Sequence, residues 1–123
     1  MSWQARLEDA AAWNAVAEGR SELPGCVSFT DARTEAGEGR TVAGLAHLSR
    51  MFVDPIHWRA GVGTALLTAA TEEMRRRRYE QAQLFTAILN TGSRAFYERR
   101  GWRLGNETQE WRGLRLIRYT LDL

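Results

Sequence analysis

Apolar residues recur at Val62, Leu66, Ala70 and Met74, a four-residue spacing that marks one face of a helix running to about Arg77. Residues 82–89 (AQLFTAIL) then form an almost unbroken apolar run, the pattern of a strand buried on both faces. Ser93 to Arg100 reads as a short helix closed by Gly101 in the C-cap position. Trp102 to Glu110 and Leu114 to Leu123 read as a hairpin that turns near Arg112-Gly113. Upstream, residues 42–53 form a strand that Pro55 stops, because proline has no N–H for a sheet ladder. Trp13 to Ala17 and Gly25 to Phe29 look like two strands joined through Gly19 to Pro24. Trp3 to Ala12 is Ala-rich and is expected to be a short helix, and polar Thr34 to Arg40 is expected to be a mobile loop. There is no internal repeat, and residues 1–123 are expected to form one α/β domain.

Between the strand that ends at Val53 and the helix that starts at Val62 lies Asp54-Pro-Ile-His-Trp-Arg-Ala-Gly61. Gly61 and Gly63 allow a tight turn and a close approach of the backbone to a ligand. A helix N-terminus carries free N–H groups and about half a positive charge, so a phosphate or pyrophosphate is the natural guest. A turn that binds nothing fits this segment alone equally well. The other nucleotide motifs fail on residues. The chain has no lysine for a Walker loop, and Leu66 stands where GxGxxG needs its third glycine.

Composition narrows the field further. At 44% hydrophobic and 26% charged, the 123 residues are those of an ordinary globular domain. No apolar run approaches the roughly 20 residues of a membrane span, and no secretion signal opens the chain. Cys26 has no second cysteine to pair with, so a cytoplasmic location is expected. Cys26, His47 and His57 show no ligand spacing, so no metal is expected. All 17 basic residues are arginine for a net charge of +2. Arg75–Arg78 falls in the last turn of the proposed helix, where solvated cations complement the dipole. No aromatic residues interleave with it as a nucleic-acid platform requires, so neither nucleic acid nor membrane is an expected partner.

Two spaced motifs now stand together. Val53, Pro55, Gly61 and Gly63 match V-x-P-x-x-[Q/R]-x-x-G-x-[G/A]. Asn90, Ser93, Phe96, Tyr97, Gly101 and Trp102 match N-x-x-[A/S]-x-x-[F/L]-Y-x-x-x-G-[F/W] after the next strand. In this order the chain resembles the GNAT superfamily of acyl-CoA N-acyltransferases over roughly residues 13–123. The resemblance implies a central mixed sheet with flanking helices. It also implies acetyl-CoA or a related acyl-CoA as co-substrate and a small-molecule or peptide amine as acceptor. By that resemblance the Met51 N–H would face the thioester carbonyl, and Met51 and Val53 main chain would pair with the pantetheine arm. Arg59, Gly61, Val62, Gly63 and Thr64 would surround the pyrophosphate, Asn90 would touch the pantetheine, and Tyr97 would protonate the departing sulfur. Phe96 would be the inward anchor of that helix.

One position departs from the pattern, since Trp58 occupies the Gln/Arg site with Arg59 one place later. Strand alternation places His47, Ser49, Met51 and Val53 on one face, which makes His47 the candidate general base. A packing or hydrogen-bonded histidine is the other reading, and His57 reads as a surface residue. Family members usually carry a strand and one or two helices before the strand that Trp13 opens, where this chain has a dozen residues. The segment that forms one wall of the acceptor site is therefore expected to be largely absent. Apolar surface around Trp3 and Trp13 would then favour a homodimer. An inactive acyl-CoA-binding or partner-assembly module with the same fold is the alternative function, and an arginine-rich nucleic-acid adaptor a more remote one.

Overall fold

The computed structural model describes residues 2–6, 12–18, 25–35, 38–55, 58 and 61–123. Its elements in chain order are β1 (Ser2–Arg6), β2 (Ala12–Glu18), β3 (Gly25–Glu35), β4 (Glu38–Val53), α1 (Val62–Arg76), β5 (Gln81–Ala87), α2 (Thr91–Arg99), β6 (Arg103–Trp111) and β7 (Leu114–Asp122). The strands form one seven-stranded sheet in the order β1-β2-β3-β4-β5-β7-β6. Only the β4–β5 pair is parallel, and α1 is the crossover that a parallel pair requires.

The apolar stripe of α1 does what its spacing predicts. Val62, Leu66, Ala70 and Met74 are all buried, together with Leu67 and Thr71. They pack on Trp13, Val27, Phe29 and Leu84 from the sheet. Burying Leu66 and Met74 fully contributes roughly 1.5–3 kcal/mol each. The helix ends in a Schellman arrangement: Tyr79 N–H donates to the Met74 carbonyl at 3.1 Å, and Arg78 N–H to that of Arg75 at 3.0 Å. Arg78 takes the left-handed position with φ 67°, where glycine is usual. Tyr79 is thereby turned back onto the sheet, edge-on to Phe29 at 5.9 Å.

Three expectations need correction here. Ser2–Arg6 is a strand and not the start of a helix, because it pairs antiparallel with β2 from Ser2↔Glu18 to Arg6↔Asn14. A free sheet edge outweighs the helix propensity of a few alanines; residues 7–11 lie outside the described ones. Within the expected loop at Thr34 to Arg40, β3 continues to Glu35 and β4 starts at Glu38, with Arg33↔Thr41 and Glu35↔Glu38 paired, and residues 36 and 37 lie outside the described ones. The Arg33 guanidinium donates across the two strands to the Gly39 carbonyl at 2.9 Å. Trp13 is a core residue at 7% exposure, stacked on Phe29, and supplies no surface for a second subunit. The expected final hairpin is present, with positive φ at Arg112 (50°) and Gly113 (79°) in its turn.

Candidate active site

The site begins with a fork in the sheet. β4 and β5 pair at Leu45↔Gln81, Ala46↔Ala82 and His47↔Gln83, and no pair follows. Just beyond, β4 carries one extra residue against β3: Ser28 faces Arg50 and Phe29 faces Leu48, leaving Ser49 bulged. A bulge bends its strand and sharpens the local twist. β5 meanwhile continues along β7 to Ala87↔Leu116, so the two strands part. Their facing edges open a cavity of about 380 Å³ lined by Leu48, Ser49, Arg50, Met51, Leu84, Phe85, Thr86, Asn90, Ser93 and Tyr97.

The same bulge overturns the expected alternation. Met51 faces Val27 on the buried side of β3, whereas His47 faces Thr30 on the other side. His47 and Met51 therefore lie on opposite faces of the sheet. His47 lines a second cavity, of about 230 Å³, with Thr30, Asp31, Arg33, Gln83, Phe85 and Glu107 among its walls. Phe85 borders both cavities.

At the far end of β4 the chain turns into α1. Gly61 sits at the N-cap with φ 82° and, having no side chain, makes no side-chain cap bond. The first intrahelical bond there runs from Ala65 N–H to the Gly61 carbonyl at 3.0 Å. The N–H groups of Val62, Gly63 and Thr64 precede that bond, and no acidic side chain occupies the first turn. This end can take an anion. The two glycines do different work. A Cβ on Gly61 would meet no atom of a described residue within 4 Å, so its need is the positive φ. A Cβ on Gly63 would lie 3.2 Å from the Phe96 ring and 3.5 Å from Val53 Cγ2, so its need is the packing of α2 against α1. Arg59 and His57 lie outside the described residues.

Neighbouring side chains add partners that the motifs did not reveal. The Trp58 indole N–H donates to the Val53 carbonyl at 3.0 Å. That carbonyl therefore already has a donor, although pantetheine was expected to pair with it. Arg100 donates to Thr64 Oγ1 and lies over the Phe96 ring at 3.8 Å, tying α2 to the first turn of α1. Asn90 is the N-cap of α2, its Oδ1 accepting from Ser93 N–H at 3.0 Å. Its amide nitrogen and the second lone pair of Oδ1 take no part in that cap.

Tyr97, and not Phe96, is the deeply buried member of its pair, at 7% exposure. Phe96 and Trp102 hold its ring edge-on at 5.2 and 5.8 Å. Its hydroxyl makes no hydrogen bond to a described residue's side chain, and burial pushes its pKa up to about 12. The helix that carries it is fixed from below by Tyr119, which is fully buried. Tyr119 accepts from Arg94 Nε at 3.0 Å and donates to Glu98. A buried phenol that keeps its proton and faces a cavity is a candidate hydrogen-bond or proton donor.

The sheet order and the fork between β4 and β5 have counterparts among known proteins. The model of the acetyltransferase (GNAT) family matches residues 1–102, and the chain belongs to that family. A ribosomal-protein-alanine N-acetyltransferase from Brucella melitensis has a similar fold, with a TM-score of 0.75 at 22% identity over 91% of this chain and 69% of that one. A GNAT family acetyltransferase from Elizabethkingia anophelis, solved with acetyl-CoA bound, superposes with a TM-score of 0.72 at 17% identity, covering 92% and 77%. Among curated proteins, an uncharacterized N-acetyltransferase of Methanocaldococcus jannaschii is 31% identical over 74 residues, 60% of this chain and 32% of that protein. The uncharacterized Bacillus subtilis protein YxbD is 42% identical over 52 residues, 42% of this chain and 33% of its own. The chain thus spans about a third of the curated relatives it matches. No described helix is long and apolar enough to cross a membrane.

Proposed function

We propose that this chain binds an acyl-CoA in the fork between β4 and β5 and transfers its acetyl group to a primary amine by direct attack. The observation that carries this reading is the fork itself. Two strand edges part without pairing beside the buried Tyr97, and the chain leaving the end of β4 enters α1 at Gly61. The pantetheine arm would lie against β4 as an added strand, which main-chain groups favour without regard to side chain. Met51 N–H would polarise the thioester carbonyl, and the first turn of α1, with Gly61, Val62, Gly63 and Thr64, would hold the pyrophosphate. A neutral amine attacks the carbonyl carbon, and the N–C bond forms as the C–S bond breaks. The nitrogen loses its extra proton to solvent, which restores the one Tyr97 gives up, and the sulfur leaves as a thiolate. Tyr97 meets that charge with its hydroxyl proton.

A module that binds acyl-CoA without turnover is the second reading. Trp58 at the Gln/Arg position of the first motif favours it, and the intact motif from Asn90 to Trp102 opposes it. Thiol release from acetyl-CoA separates the two. Assayed against small amines, aminoglycosides and peptide amino termini, the protein should release thiol only with a suitable amine. Acetyl-CoA binding with no release for any of these acceptors would establish the binding module instead.

A further inference from the structure

His47 and Gln83 are the last register partners before β4 and β5 part, and both line the 230 Å³ cavity. From β7, Arg118 Nε donates to Gln83 Oε1 at 2.8 Å. A guanidinium has only donors, so this bond orients the amide, with its oxygen toward β7 and its nitrogen toward β4. Gln83 Nε2 then lies 3.3 Å from His47 Nδ1. An amide nitrogen donates and does not accept, so Nδ1 must be the acceptor and the ring proton sits on Nε2. Burial acts in the same direction, holding the imidazole below its ordinary 6.5. The charged groups facing this cavity are already engaged. Asp31 accepts from Tyr79, Arg33 donates to Gly39, and Glu107 lies 3.6 Å from Arg118. The Nε2–H has no acceptor among the described residues.

We propose that the 230 Å³ cavity, which shares Phe85 with the fork, receives the acceptor amine, and that His47 is a fixed, neutral Nε2–H donor on its wall, positioned by Gln83 and Arg118, which selects amines whose scaffold offers an oxygen. An imidazole that accepts at Nδ1 and donates from Nε2 cannot also take the proton of the attacking amine, so His47 recognises the acceptor and does not act as its base. The selection rests on the acyltransferase reading, whereas the tautomer stands without it.

Long-range ¹⁵N–¹H correlation spectra of the unmodified protein test the tautomer, with His47→Gln used to assign the signals. The expected result is an Nε2–H imidazole whose titration midpoint lies below 6.5. Gln83→Glu, whose carboxylate would accept from Nδ1, should move the proton to that nitrogen and raise the midpoint by about one unit or more. An Nδ1–H tautomer, or free titration near 6.5 in the unmodified protein, overturns the assignment. For the selection, 3-aminopropane-1,2-diol should shift the His47 Nε2 signal and n-butylamine at equal concentration should not. Equal shifts, or none with either amine, overturn the selection and leave the acyl-CoA reading untouched.

Discussion

Replacing Tyr97 by phenylalanine should lower kcat by about 10²- to 10⁴-fold while leaving acetyl-CoA affinity and folding nearly unchanged. The ring sits between Phe96 and Trp102, and phenylalanine keeps both contacts. Its hydroxyl has no side-chain partner among the described residues to lose. Only the donor that meets the leaving sulfur is removed, and that charge develops late. With a pKa of about 12, Tyr97 stays protonated across the working range, so it imposes no loss of activity up to pH 10. The same shift has a consequence for stability. An unfolded tyrosine ionises near 10, so between 10 and 12 the folded state holds the proton more firmly. The stabilisation is complete below pH 10 and drains away as the pH rises toward 12. Denaturant unfolding of Tyr97→Phe should therefore show a shallower alkaline decline than the parent. A variant that keeps full turnover would make Tyr97 a packing residue.

Gly61→Val is expected to abolish stabilisation by CoA. Valine at φ 82° is strained, because a β-branched side chain scarcely enters the left-handed region. Relief of that strain would re-aim the N–H groups of the first turn. The added side chain would also project into open space at the anion end of α1. In the parent, CoA at 100 times its dissociation constant should add roughly 2.7 kcal/mol, visible as a rise in Tm. The variant should be less stable alone and show no rise. A full rise in the variant would move the pyrophosphate away from this turn.

Much of this architecture could be read from the chain because the period of its apolar residues matches its elements. The four-residue spacing from Val62 to Met74, and the Arg112-Gly113 turn between two alternating segments, are such cases. The bulge at Ser49 escaped a strict alternation of 47, 49, 51 and 53, yet a signal was present. Ala46 and Leu48 are in one phase, Met51 and Val53 in the other, and two polar residues separate them. Such a phase slip is what an inserted residue does to a two-residue period. Gln83 carried a similar signal, since a polar side chain inside an apolar strand run must find partners once buried. Their identities, His47 and Arg118, depend on strand order and could not be found locally. The strand at Ser2–Arg6 was hidden for the same reason: its pairing with β2, and not its own residues, decides its conformation.

Amide hydrogen exchange with and without acetyl-CoA tests most directly whether the fork is the acyl-CoA site. The account predicts slowed exchange at Leu48–Met51 on the open edge of β4 and at Val62–Thr64 in the first turn of α1, with the β6–β7 hairpin unchanged. Protection absent from both segments, or confined to the opposite face around His47 and Thr30, would contradict it.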